Sequence, residues 1–104
     1  MNKPIRKKLG EKIRQLRKLR ELTQEQLGEK SGISYKFIGE VERGTVNPSL
    51  DSLIGIAQAL TVNVKDLFPS ENDLVTEFSH EELQTIKRAV KLLNSRLSVK
   101  HVKA

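Results

Sequence analysis

The chain contains no cysteine. It therefore has no disulfide framework and none of the paired-thiol spacings of a zinc finger. Aromatic residues make up 4% of the 104 positions, so the core has to be small and mostly aliphatic. There are two histidines, His80 and His101, both near the C-terminal end. With those two and no thiol, the sequence offers no catalytic triad, no metal-ligand cluster and no glycine-rich phosphate cradle. No enzymatic activity, cofactor or metal is expected. No apolar run approaches the roughly 18 residues needed to span a bilayer. The start, MNKPIRKKLG, is basic but lacks the apolar segment of a secretory signal. The expectation is a cytoplasmic chain of one ordinary domain plus an appendage, with no membrane association.

Positive charge is in excess, at net +6, and it is unevenly placed. Residues 1–21 hold nine Lys and Arg against two Glu. Residues 22–70 hold four basic against six acidic residues, and residues 71–104 hold six against five. A basic segment of this kind favours an anionic partner such as nucleic acid, and it equally suits a solvated helix face.

Helical periodicity runs through the chain, and no period-2 strand of useful length is present. Ile5, Leu9, Ile13, Leu16 and Leu19 form a stripe with Lys and Arg on the other faces, predicting a first helix that ends near Arg20. Pro4 suits its first turn. Thr23 and Gln26 have the spacing of a capping box for a second helix, which Gly32 stops. Ser34 caps a third helix that Gly44 ends. Ser49, after Pro48, caps a fourth running to about Leu60, and Asn63 opens a very short fifth carrying Val64, Leu67 and Phe68. Residues 70–78 read as a linker. Ser79 and Glu82 then form a capping box, with Phe78 and Leu83 as its hydrophobic staple, for an appended helix over 79–98. Residues 99–104 read as a flexible tail. The domain division is thus 1–69, linker 70–78, helix 79–98 and tail 99–104.

The stretch LTQEQLGEKSGISYKFIGEVER places two short helices around a glycine-containing turn, which is the pattern of a helix-turn-helix. Gly28 costs about 1 kcal/mol within a helix relative to Ala. A small residue there allows helix three to cross closely. Leu27, Ile33, Ile38 and Val41 supply the apolar junction. Together with IGEVERGTVNPSLDSLIGIAQAL and VNVKDLF, this stretch resembles the phage-repressor/Cro type of helix-turn-helix regulator (lambda repressor-like) from about Leu9 to Phe68. The resemblance implies an all-α, five-helix DNA-binding bundle, of bacterial or phage origin, with an appended C-terminal helix. Its third helix, 34–42, would enter the major groove. Glu21 and Thr61 depart from the family habit, since glycine or a similar residue usually stands at each.

On a helix wheel, Tyr35, Lys36, Gly39, Glu40 and Arg43 fall within an arc of roughly 140°, opposite Phe37, Ile38 and Val41. The first group should face outward. The resemblance makes Tyr35, Lys36 and Glu40 base readers, with Gly39 in the same face. It makes Gln24 a phosphate contact, to which the flanks of the helix N-termini add Thr23, Arg43 and Asn47. A solvated surface position is the plain alternative for each. Glu42 falls beside the apolar face, and the resemblance pairs it with Arg17 in a partly buried ion pair. Glu40 faces the groove, where a carboxylate can accept from cytosine N4 and where Lys36, four residues earlier, can offset its charge.

In the appended helix Leu83, Ile86, Val90, Leu93 and Leu97 recur at three and four, a coiled-coil-like seam of about two heptads. It is expected to form a homodimer contact, with packing on its own bundle as the alternative. A two-fold dimer would read half-sites about 34 Å apart in a near-palindromic operator on double-stranded DNA. The expected function is a sequence-specific transcriptional regulator acting as a repressor. The competing reading is a protein-binding regulator, such as an antitoxin or a restriction–modification controller, whose C-terminal helix holds a partner.

Overall fold

The computed structural model describes residues 1–70 and 79–102, with side chains through residue 93. Most of the expected linker, the Phe78 half of the expected staple and the Leu97 side chain lie outside the described residues. The elements are α1 (Lys3–Leu19), α2 (Gln24–Ser31), α3 (Tyr35–Arg43), α4 (Leu50–Leu60), a 3-10 turn (Val64–Leu67) and α5 (His80–Val102). The fold is all-α, and no strand occurs among the described residues. No described helix is long and apolar enough to cross a membrane.

Each helix starts on a side chain that satisfies an otherwise unpaired backbone N–H. Asn2 accepts from the N–H of Ile5, Ser34 from that of Phe37, and Ser49 from that of Ser52. Thr23 and Gln26 exchange both bonds of a capping box, as do Ser79 and Glu82. Helix ends are equally uniform. The N–H of Leu22, Ile33, Thr45 and Val62 each reaches back five residues to a helix carbonyl, at 3.0–3.1 Å. This closure places the preceding residue in the left-handed region. Gly32 and Gly44 do so freely, whereas Glu21 (φ 58°) and Thr61 (φ 59°) do so against a steric cost of about 1 kcal/mol each. The two departures from glycine therefore change the cost of the turns and leave their geometry intact.

The expected fifth helix is a single 3-10 turn. Only four residues separate Asn63 from Phe68, and i→i+3 bonds close sooner than α-helical ones. The core is aliphatic throughout: Leu9, Ile13, Leu27, Ile38, Ile56, Leu60 and Leu67 are all at 0% exposure. In α1 the buried series runs 5, 9, 13 and 17, so Arg17 takes the fourth place in the stripe and Leu19 is left 73% exposed. The expected stripe holds through Leu16, which packs against the core, and fails only at Leu19, where α1 reaches its end.

The helix α5 ends at Val102, four residues beyond the expected Ser98, in a stretch without proline or glycine. The described part of its seam, Leu83 to Leu93, lies against its own bundle. Ile86 is buried on Ile5, Leu83 and Val90 pack around that pair, and Leu93 reaches the main core. Asn2 adds a hydrogen bond from Nδ2 to Glu82. Ile86 is thus withdrawn from the dimer contact expected of it, since an intramolecular face covers it without loss of translational freedom.

Backbone meets backbone where α1 crosses the end of α3. A Cβ on Gly10 would lie 2.3 Å from the carbonyl oxygen of Val41 and 2.5 Å from that of Glu42. One on Gly44 would lie 2.8 Å from the Cα of Lys7. Gly10→Ala should therefore lower the unfolding free energy by about 1–3 kcal/mol in urea denaturation, although alanine is the better helix former.

Candidate nucleic-acid interface

The second and third helices form the unit that carries the candidate site. Gly28 makes their close turn possible, since a Cβ there would lie 2.5 Å from the carbonyl oxygen of Ile33. Buried Leu27, Ile38 and Val41 and half-buried Ile33 fix the junction between the two helices. The opposite side of α3 is turned to solvent. Tyr35 is 61% exposed, Lys36 and Arg43 are exposed, and Glu40 is half-buried. Lys36 and Glu40 form no direct ion pair among the described residues.

Gly39 keeps the outward face of α3 low between Tyr35 and Arg43. It lies on the outward arc yet is buried. A Cβ there would come 3.1 Å from Nη1 of Arg43 and 3.5 Å from Oε1 of Gln24. The missing side chain leaves room for both of those side chains to lie over the helix backbone. Gly39 therefore acts as a bed for Arg43 and Gln24, and it offers no exposed surface of its own.

Beneath that surface lies the ion pair. Arg17 donates from Nε to Glu42 Oε2 at 2.6 Å and from Nη2 to Oε1 at 3.1 Å, with Arg17 9% and Glu42 7% exposed. The remaining guanidinium arm, Nη1, donates to the carbonyl of Leu22 at 2.7 Å. Gln24 Nε2 donates to Glu42 Oε1 at 3.2 Å. One buried carboxylate thus holds α1 and also positions the first residue of α2. Among the described residues no buried polar side-chain atom lacks a partner.

Thr23 is exposed at the start of α2, with its hydroxyl oxygen accepting from the N–H of Gln26. Asn47 is exposed in the loop after α3. Its Oδ1 accepts from Arg6 at 3.5 Å and from the Met1 amine at 3.2 Å. Tyr35, Lys36, Glu40 and Arg43 share one face with Gln24 beside it, whereas Asn47 stands at the loop edge, tied to α1.

The first helix also does something its composition did not disclose. Arg6 donates to the carbonyl of Gly44 and Arg20 to that of Leu60, the carbonyl-rich ends of α3 and α4. A cation at a helix C-terminus is favourable. Arg6, Arg17 and Arg20 are therefore structural, and part of the basic excess in residues 1–21 belongs to the fold. Neither Arg6 nor Arg20 stands in a pattern from which its carbonyl partner could be read, because those partners lie 38 and 40 residues away.

Two short helices locked at an apolar junction, with the outer face of the second left open, define a helix-turn-helix DNA-binding domain. The chain belongs to the family described as "Helix-turn-helix", which matches residues 13–67, about half of its length. It is 37% identical over 84 residues to the immunity repressor protein of Bacillus phage phi105 and spans 58% of that protein's length. It is 43% identical over 63 residues to the control protein C.SmaI of Serratia marcescens, covering 61% of this chain and 75% of that protein. Among solved structures, the restriction-modification controller protein C.AhdI from Aeromonas hydrophila superposes with a TM-score of 0.60 at 38% identity. That match covers 61% of this chain and 96% of C.AhdI.

Removing one half of the ion pair leaves the other charge buried. Arg17→Met should lower the unfolding free energy by about 3–5 kcal/mol, and the double change Arg17→Met, Glu42→Leu should recover most of that loss. Thermal melts of the two single variants and the double one, compared with the parent, measure both effects.

Proposed function

We propose that the chain is a sequence-specific repressor that binds a near-palindromic operator as a homodimer, with α3 in the major groove. The observation that carries this is the division of labour between two glutamates two residues apart. Glu42 is neutralised inside the bundle by Arg17, so it adds no repulsion at the surface. Glu40 remains on the outward face between Lys36 and Arg43. In this proposal Tyr35, Lys36 and Glu40 read base edges. Gln24, Thr23, Arg43 and Asn47 hold phosphates on either side of the groove. A carboxylate pairs with cytosine N4 and repels phosphates in a wrong register, so Glu40 contributes discrimination more than affinity.

Selection of bound sequences from a random duplex pool, repeated at several salt concentrations, tests the proposal. A palindromic consensus is expected. Binding that depends steeply on salt without sequence preference would overturn it. In the same assay Glu40→Ala should relax preference at one base position per half-site, where discrimination is about 1–3 kcal/mol. Equal weakening on every sequence would remove Glu40 from the readers.

In this proposal the dimer contact lies on the solvent side of α5, since the inner seam from Leu83 to Leu93 packs on the bundle. Leu92 stands there 66% exposed. Leu92→Glu should shift the protein toward monomer in sedimentation velocity, with no change in its melt at matched monomer content. A second reading is favoured by the likeness to C.SmaI and C.AhdI: this chain would be a controller of a restriction–modification system. It shares the DNA chemistry and differs in the genes served, so a restriction enzyme and methyltransferase encoded alongside would decide for it.

A further inference from the structure

The family match begins at residue 13, yet α1 begins at Lys3 and its first turns are built into the fold. Residues 1–12 thus form an extension of the matched segment within the same helix, and it carries five basic residues. Their placement is not uniform. Arg6 turns inward, donating to the carbonyl of Gly44 and to Oδ1 of Asn47. Lys3 and Lys7 are exposed. At about 100° per residue they lie within roughly 60° of Gly10, whose backbone touches α3. The backbone of Lys7 is itself in contact with Gly44, the residue that ends α3. These two lysines therefore stand beside the loop that carries Asn47, on the flank of the α3 face. Glu11 shares the shallow hollow between them and is the one acidic residue there.

We infer that Lys3 and Lys7 form a second contact with the DNA sugar–phosphate backbone, outside the base pairs read by α3. This rests on the DNA-binding function proposed above and extends its footprint. Phosphate is the fitting partner for chemical reasons. An ammonium is a strongly hydrated point charge on a flexible stem, suited to a phosphate oxygen at variable distance, and these two lysines stand on α1, away from the α3 face that is turned to the bases. The scaffold beneath is stiff because Arg6 and Gly44 join the extension to the end of α3. A phosphate bound at Asn47 and one bound at Lys7 would thus be held in fixed relation. The same helix provides an internal control. Arg14 and Lys18 are exposed, lie on the same side of α1 and carry the same charge. Lys18 is about 16 Å along the axis from Lys7.

The test compares Lys3→Gln, Lys7→Gln with Arg14→Gln, Lys18→Gln, two variants of equal net charge, by fluorescence anisotropy. Each is titrated onto the selected operator in a duplex with long flanks and in one trimmed at the half-site edges. For Lys3→Gln, Lys7→Gln on the flanked duplex, Kd should rise about 5–20-fold at about 0.1 M salt. The slope of log K against log salt should become shallower by about 3.6, as expected for two lost phosphate contacts in each protomer of the bound dimer. On the trimmed duplex it should bind like the parent, and the Arg14, Lys18 variant should change little on either. Equal losses in the two variants would make the effect one of overall field, and equal losses on the two duplexes would place it inside the half-site. Either result, or no loss at all, overturns the inference. If the parent shows no sequence preference, the proposed repressor function fails. The extension is then judged on random-sequence duplex, where the difference in salt slope between the two variants decides it. Both lysines are exposed, so unchanged melts are expected and serve as the folding control.

Discussion

Everything on the recognition side of this molecule hangs from one guanidinium. Arg17 places two of its donor arms on Glu42 and a third on the carbonyl of Leu22, and Glu42 in turn receives Gln24. Four segments meet at that point: the last turn of α1, the connection after it, the first turn of α2 and the second half of α3. A buried ion pair need not stabilise a fold against an apolar substitute of equal volume. Its effect here is to fix an arrangement. The carboxylate and guanidinium satisfy each other in one geometry, and that geometry sets how far α3 is rotated about its own axis. Which residues of α3 meet solvent follows from that rotation.

The second constraint is the absence of side chains. Between α1 and the end of α3 the separating layer is a pair of glycines, so the approach is limited by backbone atoms alone. Gly39 does the same on the outer face, where the gap lets Arg43 and Gln24 lie flat. Close approach at these positions contrasts with the turns, where Glu21 and Thr61 occupy left-handed conformations that glycine would adopt without strain. The glycines are thus placed where bulk is excluded, and some of the turns tolerate the conformational cost. The steric cost is about 1 kcal/mol at each of those two turns.

Much of this was legible in the sequence because it is local. Caps join residues three positions apart, stops join residues five apart, and the apolar junction of α2 and α3 lies within one short stretch, so Thr23–Gln26 and Ser79–Glu82 could be read directly. The Arg17–Glu42 pair is remote in sequence and came from the family resemblance, not from spacing. The reading ran out where an interaction is both remote and unpatterned. Arg6 and Arg20 on distant carbonyls leave no periodicity, and Gly10 within α1 has a purpose only once α3 lies across it. The stripe of α1 was misjudged at its end for a related reason. Leu16 packs against the core as its spacing implies, but the partner surface then takes Arg17 and leaves Leu19 in solvent. Gly39 was placed on the outward arc, but a wheel gives direction without saying that Gln24 and Arg43 lie over it.

The scarcity of aromatic residues has a consequence of another kind. Tyr35 is the only tyrosine and there is no tryptophan, so one ring dominates the near-ultraviolet absorption and emission of the whole chain. That ring sits on the open face of α3 at 61% exposure, while the core is lined by aliphatic side chains that are optically silent. The protein thus carries a native optical label at its recognition surface. Its intrinsic fluorescence follows the surroundings of α3 with little background from the interior.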